Sequence, residues 1–333
     1  MAYTTIDDPT LFFRVKAYSG TGSAHAETFD ITDTSMQPDM VWIKNRDTTG
    51  NHGIWDAVRG AAKQIYPNQT YGESTAAGSM TAFNSNGFSV GTDGDQNGSG
   101  NKLVAWCWKE STTAGFDIVS YAGNGVAGRN ISHSLGAKPN WMIVKNRSSS
   151  IKWVVYHEKN TSAPGTEYLQ LNSDAATSDD DSIWDDTEPT SSVFRVKSST
   201  STNGSSADYI AYLWAPIQGF SKFGSYTGNG NADGPFVYTG FKPAFVIVKQ
   251  SSAAGNSWNI FDNKREGYNP DNDALFADVD STETTTDYLD LLSNGFKIRN
   301  NSSAVNTSSE TYLYMAFAES PFVNSNGVPT NGR

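Results

Sequence analysis

The chain has 333 residues, a net charge of -11, 18% charged and 12% aromatic side chains, and one Cys. Nine Trp are too many for a disordered chain. The negative charge argues against nucleic acid or an anionic membrane as partner, and a lone Cys leaves no intrachain disulfide framework.

The Gly-, Ser-, Thr- and Asn-rich composition argues against long helices. No apolar run approaches the roughly 18 residues that span a bilayer, so no membrane insertion is expected. The polar opening, Met1 to Pro9, does not read as a secretory signal. The expected place of synthesis is a cytoplasm.

The first ten residues read as an extended arm, because Pro9 disfavours helix at Asp8. Thereafter four signposts recur three times in one order. Ala17-Tyr18-Ser19-Gly20 returns as Ser120-Tyr121-Ala122-Gly123 and as Ser225-Tyr226-Thr227-Gly228. A Pro then precedes an apolar run ending in Lys: Pro38 to Lys44, Pro139 to Lys145, Pro243 to Lys249. Phe88, Phe194 and Phe296 each open a short alternating segment. Aromatic segments close each unit: Leu103 to Trp108, Tyr209 to Trp214, Tyr312 to Phe317.

The Pro-bounded runs are short, β-branched and aromatic, as strands buried on both faces are. Gly91 to Asn101, Ser198 to Ser206 and Asn300 to Ser309 read as long hairpin tips. One short helix is expected near Ala57 to Ile65. The fold expected is all-β: three tandem antiparallel β-sandwich modules, jelly-roll-like, of about 105 residues, each large enough to bury its own core. Their bounds are 11–112, 113–216 and 217–323, with an N-terminal docking arm at 1–10 and a flexible tail at 324–333.

Several residues invite a functional reading. Asp93, Asp95 and Asn97 place oxygens at alternate positions before Gly98, as the first half of a calcium loop does. The twelfth position is Val104 rather than Glu and no helices flank the loop, so a hairpin tip is the competing reading. Trp184, within Asp179 to Asp186, is a candidate to stack on a pyranose, against the alternative that it tucks into the core. Cys107 alternates with Trp106 and Trp108 and reads as a buried, inert thiol. Lys44, Lys145 and Lys249 recur at strand ends, where a long stem lies on apolar surface with its head in water.

No catalytic set recurs. His25, His52, His133 and His157 do not stand at matching positions. His52 aligns with Trp153 and Trp258, which points to packing. Asp56 aligns with His157 and Asp262, and no carboxylate pair or nucleophile elbow is present three times. What recurs is strand and turn; the loops, Gly91 to Asn101, Asp179 to Asp186 and Pro270 to Thr286, are where the units differ.

The opening Met1 to Pro9, the block Ile54 to Lys63, Ala105-Trp106-Cys107-Trp108-Lys109, Tyr226 to Gly230 and the ending Met315 to Glu319 with Pro321-Phe322-Val323 carry a resemblance. They resemble tandem-repeat virion proteins of tailed, especially marine and cyanobacterial, bacteriophages, of the tail-fibre or receptor-binding type. The resemblance covers the whole chain and implies a virion surface location, but it transfers no catalytic, cofactor or metal residue.

The function expected is a non-enzymatic virion structural protein, a tail fibre or adhesin whose loops contact a host-surface glycan or protein. Other virion proteins would be met through the arm at Ile6, Asp7, Asp8 and Pro9. The alternatives are a capsid decoration, head-fibre or tail-connector protein, and a polysaccharide depolymerase. A homo-oligomer, a trimer in the fibre case, is a further partner class. No cofactor is expected beyond the calcium candidate.

Overall fold

The computed structural model describes residues 2–30, 34–265, 269 and 273–330; Pro270, Asp271 and Asn272 of the third divergent loop lie outside them. The protein is all-β, with 41% strand and 5% helix. Three principal antiparallel sheets share one strand order: opening, closing, middle, flanking. In module 1 these are Phe13–Ser19, Lys102–Trp108, Met40–Asn45 and Gly53–Asp56. In module 2 they are Phe116–Ala122, Asp208–Trp214, Trp141–Asn146 and Val154–His157. In module 3 they are Ser221–Thr227, Thr311–Pro321, Phe241–Gln250 and Asn259–Asp262. A small outer sheet backs each, built on Gly87–Val90, Val193–Val196 or Gly295–Ile298.

The middle strands explain the layering. All six residues of Met40–Asn45 and of Trp141–Asn146 are buried. Side chains alternate across a strand, so two buried faces need two cores. Met40 and Trp42 enter one cluster shared by all three modules, whereas Val41 and Ile43 face the outer sheet of module 1. Trp141 and Ile143 enter the shared cluster too, while Met142 and Val144 face the outer sheet of module 2. Cys107 lies on the outer side of its strand and Trp106 and Trp108 on the shared side.

This corrects the expectation that each unit buries its core alone. The three principal sheets converge, and the ends of their closing strands meet. Trp108 lies 6.2 Å from Trp214 and 5.8 Å from Phe317, ring centre to ring centre. Phe245 packs 5.7 Å from Trp108. Such rings each bury on the order of 150–250 Å², so removing any of them loosens three modules at once.

The arm is not free. Tyr3 Oη donates to Gly240 O at 2.8 Å, and Ile6 enters the shared core. Asp7 accepts from Ser325 N at 2.6 Å, and Asp8 caps a single 3-10 turn, Pro9–Leu11, accepting from Thr10 N at 3.0 Å. Of the residues expected to dock onto the virion, Ile6 is therefore in the shared core, Asp7 is held by the tail, and Asp8 accepts from Thr10 and from Thr34 Oγ1 of module 1 at 3.2 Å. The tail in turn is tied into a tight turn by Asn324 N donating to Val328 O at 2.9 Å.

Ala57 to Ile65 is not helical. Arg59 N and Nε fold back onto the Asp56 carboxylate at 2.8 and 2.5 Å, and Gly60 takes φ +98, which ends any helix.

Candidate functional site

Most of the polar residues that drew attention in the sequence are consumed in the seams between modules. At the seam of modules 1 and 2, Tyr212 Oη donates to Asp56 Oδ2 at 2.6 Å. Arg59 holds the same carboxylate and reaches Glu73 at 3.3 Å, which Arg147 of module 2 meets at 2.8 Å. The seam of modules 3 and 1 repeats this arrangement. Trp106 Nε1 donates to Asp262 Oδ2 at 2.9 Å, Arg265 binds Asp262 and Glu283, and Arg46 closes on Glu283 at 2.6 Å.

The seam of modules 2 and 3 carries the same geometry without charge. Thr177 N donates to Ser251 O at 2.9 Å, as Glu73 N does to Arg147 O and Glu283 N to Arg46 O. Thr177 Oγ1 meets Asn160 Oδ1 at 2.7 Å. His157 takes the place of the two acids. Its Nδ1 accepts from Lys159 N at 2.9 Å, which leaves Nε2 protonated to donate to Tyr314 O at 3.3 Å.

The recurrent lysines also belong to the seams, and their heads do not reach water. Lys145 Nζ donates to Thr70 O at 2.7 Å across one seam, and Lys249 Nζ to Asp174 O at 3.0 Å across the next. Burial lowers Lys145 to about 7 and Lys44 and Lys249 to about 8. His52, Trp153 and Trp258 pack in the seams as the alignment implied. Trp153 Nε1 donates to Tyr66 O and Trp258 Nε1 to Gln170 O, both at 2.9 Å.

The calcium candidate is a threefold turn. Asp93, Ser199 and Ser302 each receive the backbone N–H two residues on, from Asp95, Ser201 and Ala304. Asn97, Asn203 and Asn306 end the turns, buried. Their Oδ1 atoms accept from Thr21, Asn124 and Asn229 N at 2.7, 3.0 and 2.8 Å. With Asn97 Nδ2 donating to Gly91 O and Ser23 O, and Asp93 Oδ2 accepting from Ser79, the supposed ligands serve the fold. Among the described residues no group of three His, Cys, Asp or Glu is placed to hold a metal. Of these three buried amides the sequence drew attention only to Asn97, as a calcium ligand, though the matching positions of Asn203 and Asn306 were there to be read.

Trp184 is 1% exposed, its Nε1 donates to Glu167 O, and it packs edge-on to Tyr156. It is core and offers no face to a sugar.

An exposed aromatic surface does exist, on module 3. Phe236–Tyr238 is an outer-sheet edge strand whose burial alternates, with Phe236 46% and Tyr238 47% exposed. Pairing opposite Phe88, Phe194 and Phe296 fixes the equivalent outward positions as Ala26 and Thr28 in module 1 and Asn130 and Ser132 in module 2. Module 3 alone carries rings there. Lys297 lies opposite Phe236. Lys222 Nζ sits 5.3 Å over the Tyr238 ring and donates to Tyr238 O at 2.7 Å. Tyr3 Oη lies 3.3 Å from Tyr238 Oη. Beside Tyr3 opens a cleft of about 510 Å³ lined by Gln218, Ser325 and Asn326.

No curated protein and no solved structure matches the chain. A domain family of unknown function, DUF7483, matches residues 8–321, and the chain belongs to that family.

Proposed function

We propose that this chain is a non-enzymatic structural protein of a bacteriophage particle that attaches to the host-cell surface, with glycan as its ligand class. The observation that carries the reading is the exposed Phe236 and Tyr238 pair, found on one of three otherwise equivalent faces. Two rings at alternate positions of a strand stand about 7 Å apart on the same side of the sheet. Sugar rings offer C–H faces to such rings, and their hydroxyls need the polar tips that Tyr3, Lys222, Gln218 and Asn326 supply nearby. The virion assignment rests on the resemblance of the sequence. A single shelf binds weakly, and many copies on one particle convert weak sites into avidity.

The test is binding of the purified protein to an array of bacterial envelope polysaccharides, with the Phe236→Ala, Tyr238→Ala double variant alongside. Retention by wild type and loss by the folded variant supports the reading. Equal retention by both overturns the shelf. Release of reducing ends would favour a depolymerase. No retention, with binding to phage shells instead, would favour a decoration or connector protein.

A further inference from the structure

The N-terminal arm seats on the module that carries the aromatic shelf. Thr4 is 2% exposed, and Ile6 N donates to its Oγ1 at 3.0 Å. Two glycines of module 3 make room for the arm. A Cβ on Gly219 would lie 2.9 Å from Thr4 Cβ. Gly240 has φ +87, and a Cβ there would lie 2.7 Å from Tyr3 Oη. Module 2 has the same turn: Gly136 precedes Pro139 by three residues, as Gly240 precedes Pro243. A Cβ on Gly136 would meet nothing within 4 Å, so that turn stands empty while the turn of module 3 holds Tyr3.

Tyr3 joins two surface features. Its hydroxyl has one proton, which goes to Gly240 O at 2.8 Å, so Tyr238 is the donor in the 3.3 Å contact between the two hydroxyls. Tyr3 is thus fixed at the Tyr238 end of the shelf. It also lines the cleft of about 510 Å³, with Gln218, Ser325 and Asn326. That volume falls within the roughly 300–1,000 Å³ of small-ligand sites. Ser325 gives its backbone N–H and its hydroxyl to Asp7. Gln218 and Asn326 are exposed, and among the described residues neither side-chain amide has a hydrogen-bond partner. An amide offers both a donor and an acceptor, as neighbouring sugar hydroxyls require.

On the reading of the shelf as a glycan site, we propose that the arm completes that site and that its ligand is a stretch of at least three linked sugars rather than one terminal sugar. The first units lie on Phe236 and Tyr238. The glycan then passes Tyr3, and the following units enter the cleft, where Gln218 and Asn326 meet their hydroxyls. A monosaccharide reaches only one of these parts at a time.

The probe is the array polysaccharide that the protein retains, partly hydrolysed and sorted by length, titrated into isotope-labelled full-length protein and followed by NMR. Expected is at least tenfold tighter binding of tetramers than of dimers. Tetramers shift the backbone amides of Asn326 and Gly327 together with those of Phe236 and Tyr238. In the Gln218→Ala, Asn326→Ala double variant the tetramer-to-dimer ratio falls below threefold. Tyr3→Ala, checked for folding by its denaturation curve, lowers the ratio as well. Phe236→Ala weakens tetramer and dimer together and keeps the ratio. Equal affinity for dimer and tetramer in wild type, no shift at Asn326 and Gly327, or an unchanged ratio in the double variant would overturn the inference and leave the shelf itself standing. Retention of no polysaccharide would overturn the attachment reading, and this one with it.

Discussion

His157 Nε2 donates to the carbonyl of Tyr314, the backbone counterpart of contacts that Asp56 makes with Tyr212 and Asp262 makes with Trp106. The reason lies across the seam. Trp106 and Tyr212 offer a side-chain donor, whereas the matching residue of module 3 is Met315, which has none. A carboxylate at 157 would lack that donor; an imidazole donates outward instead. The rest of the set changes with it: Arg59, Glu73 and Arg147 become Asn160, Thr177 and Ser251. The charged set sums to zero with its aspartate, and so does the neutral one. Each of these sets is thereby free of net charge, which is the condition for burying such groups together.

Replacing His157 by Asp breaks that condition. The new carboxylate meets a carbonyl and has no arginine, because Asn160 stands where Arg59 and Arg265 stand. The variant is expected to lose about 3–5 kcal/mol of stability in urea unfolding. Adding Asn160→Arg recovers part of the loss. An unchanged midpoint for the single variant would remove the seam account.

His157 also sets a pH dependence. Burial lowers its pKa from the ordinary 6.5 to about 4. Between those values the unfolded chain binds a proton that the folded protein refuses, so stability is complete above pH 6.5 and falls as pH drops toward 4. The full span corresponds to about 3 kcal/mol. His157→Gln removes this part of the slope, read as a flatter plot of unfolding free energy against pH over that window.

Glu110 acts with the opposite sign. Burial, and then its hydrogen bond to Asp117, push the carboxyl up to about 7. From about pH 4.5 to 7 the folded protein keeps a proton that the unfolded chain has released, so this group lowers stability as pH rises. Glu110→Gln abolishes the decline, and a carboxyl carbon titration by NMR places the midpoint near 7. A titration at an ordinary glutamate value would contradict the packing of Glu110 against Asp117.

Much of this architecture was legible in the sequence where a residue type has a single local use. Gly20, Gly123 and Gly228 mark the Tyr-x-Gly turns because a Cβ there would lie 2.2, 2.1 and 2.1 Å from the carbonyl oxygens of Gly98, Gly204 and Thr307. Pro-bounded apolar runs read correctly as strands buried on both faces. What covers those faces was not legible. Alternation says that Trp42 and Val41 point apart, but not that Trp42 meets other modules. The seam sets were hidden for the same reason: Asp56 and Tyr212 are 156 residues apart, and their pairing exists only once the sheets converge. The shelf was legible and overlooked, since Phe236 and Tyr238 stand where the other modules carry small or polar residues. Trp184 drew attention instead because acidic neighbours look like a site, and one helical turn, Asp181–Trp184, turns its ring inward.

Two aromatic substitutions separate packing from recognition. Trp184→Ala empties a fully buried site between Tyr156 and the outer sheet of module 2 and is expected to cost about 3–5 kcal/mol. Tyr238→Ala removes a half-exposed ring and one long hydroxyl contact to Tyr3, and stays within about 1 kcal/mol of wild type. Polysaccharide binding should follow the reverse order at a temperature where both proteins remain folded. Trp184→Ala then retains wild-type affinity, because its ring never reaches the surface, while Tyr238→Ala loses it. If the Trp184 variant, shown folded by near-ultraviolet circular dichroism, lost binding and the Tyr238 variant kept it, the contact surface would lie on module 2 and the shelf on module 3 would be packing alone.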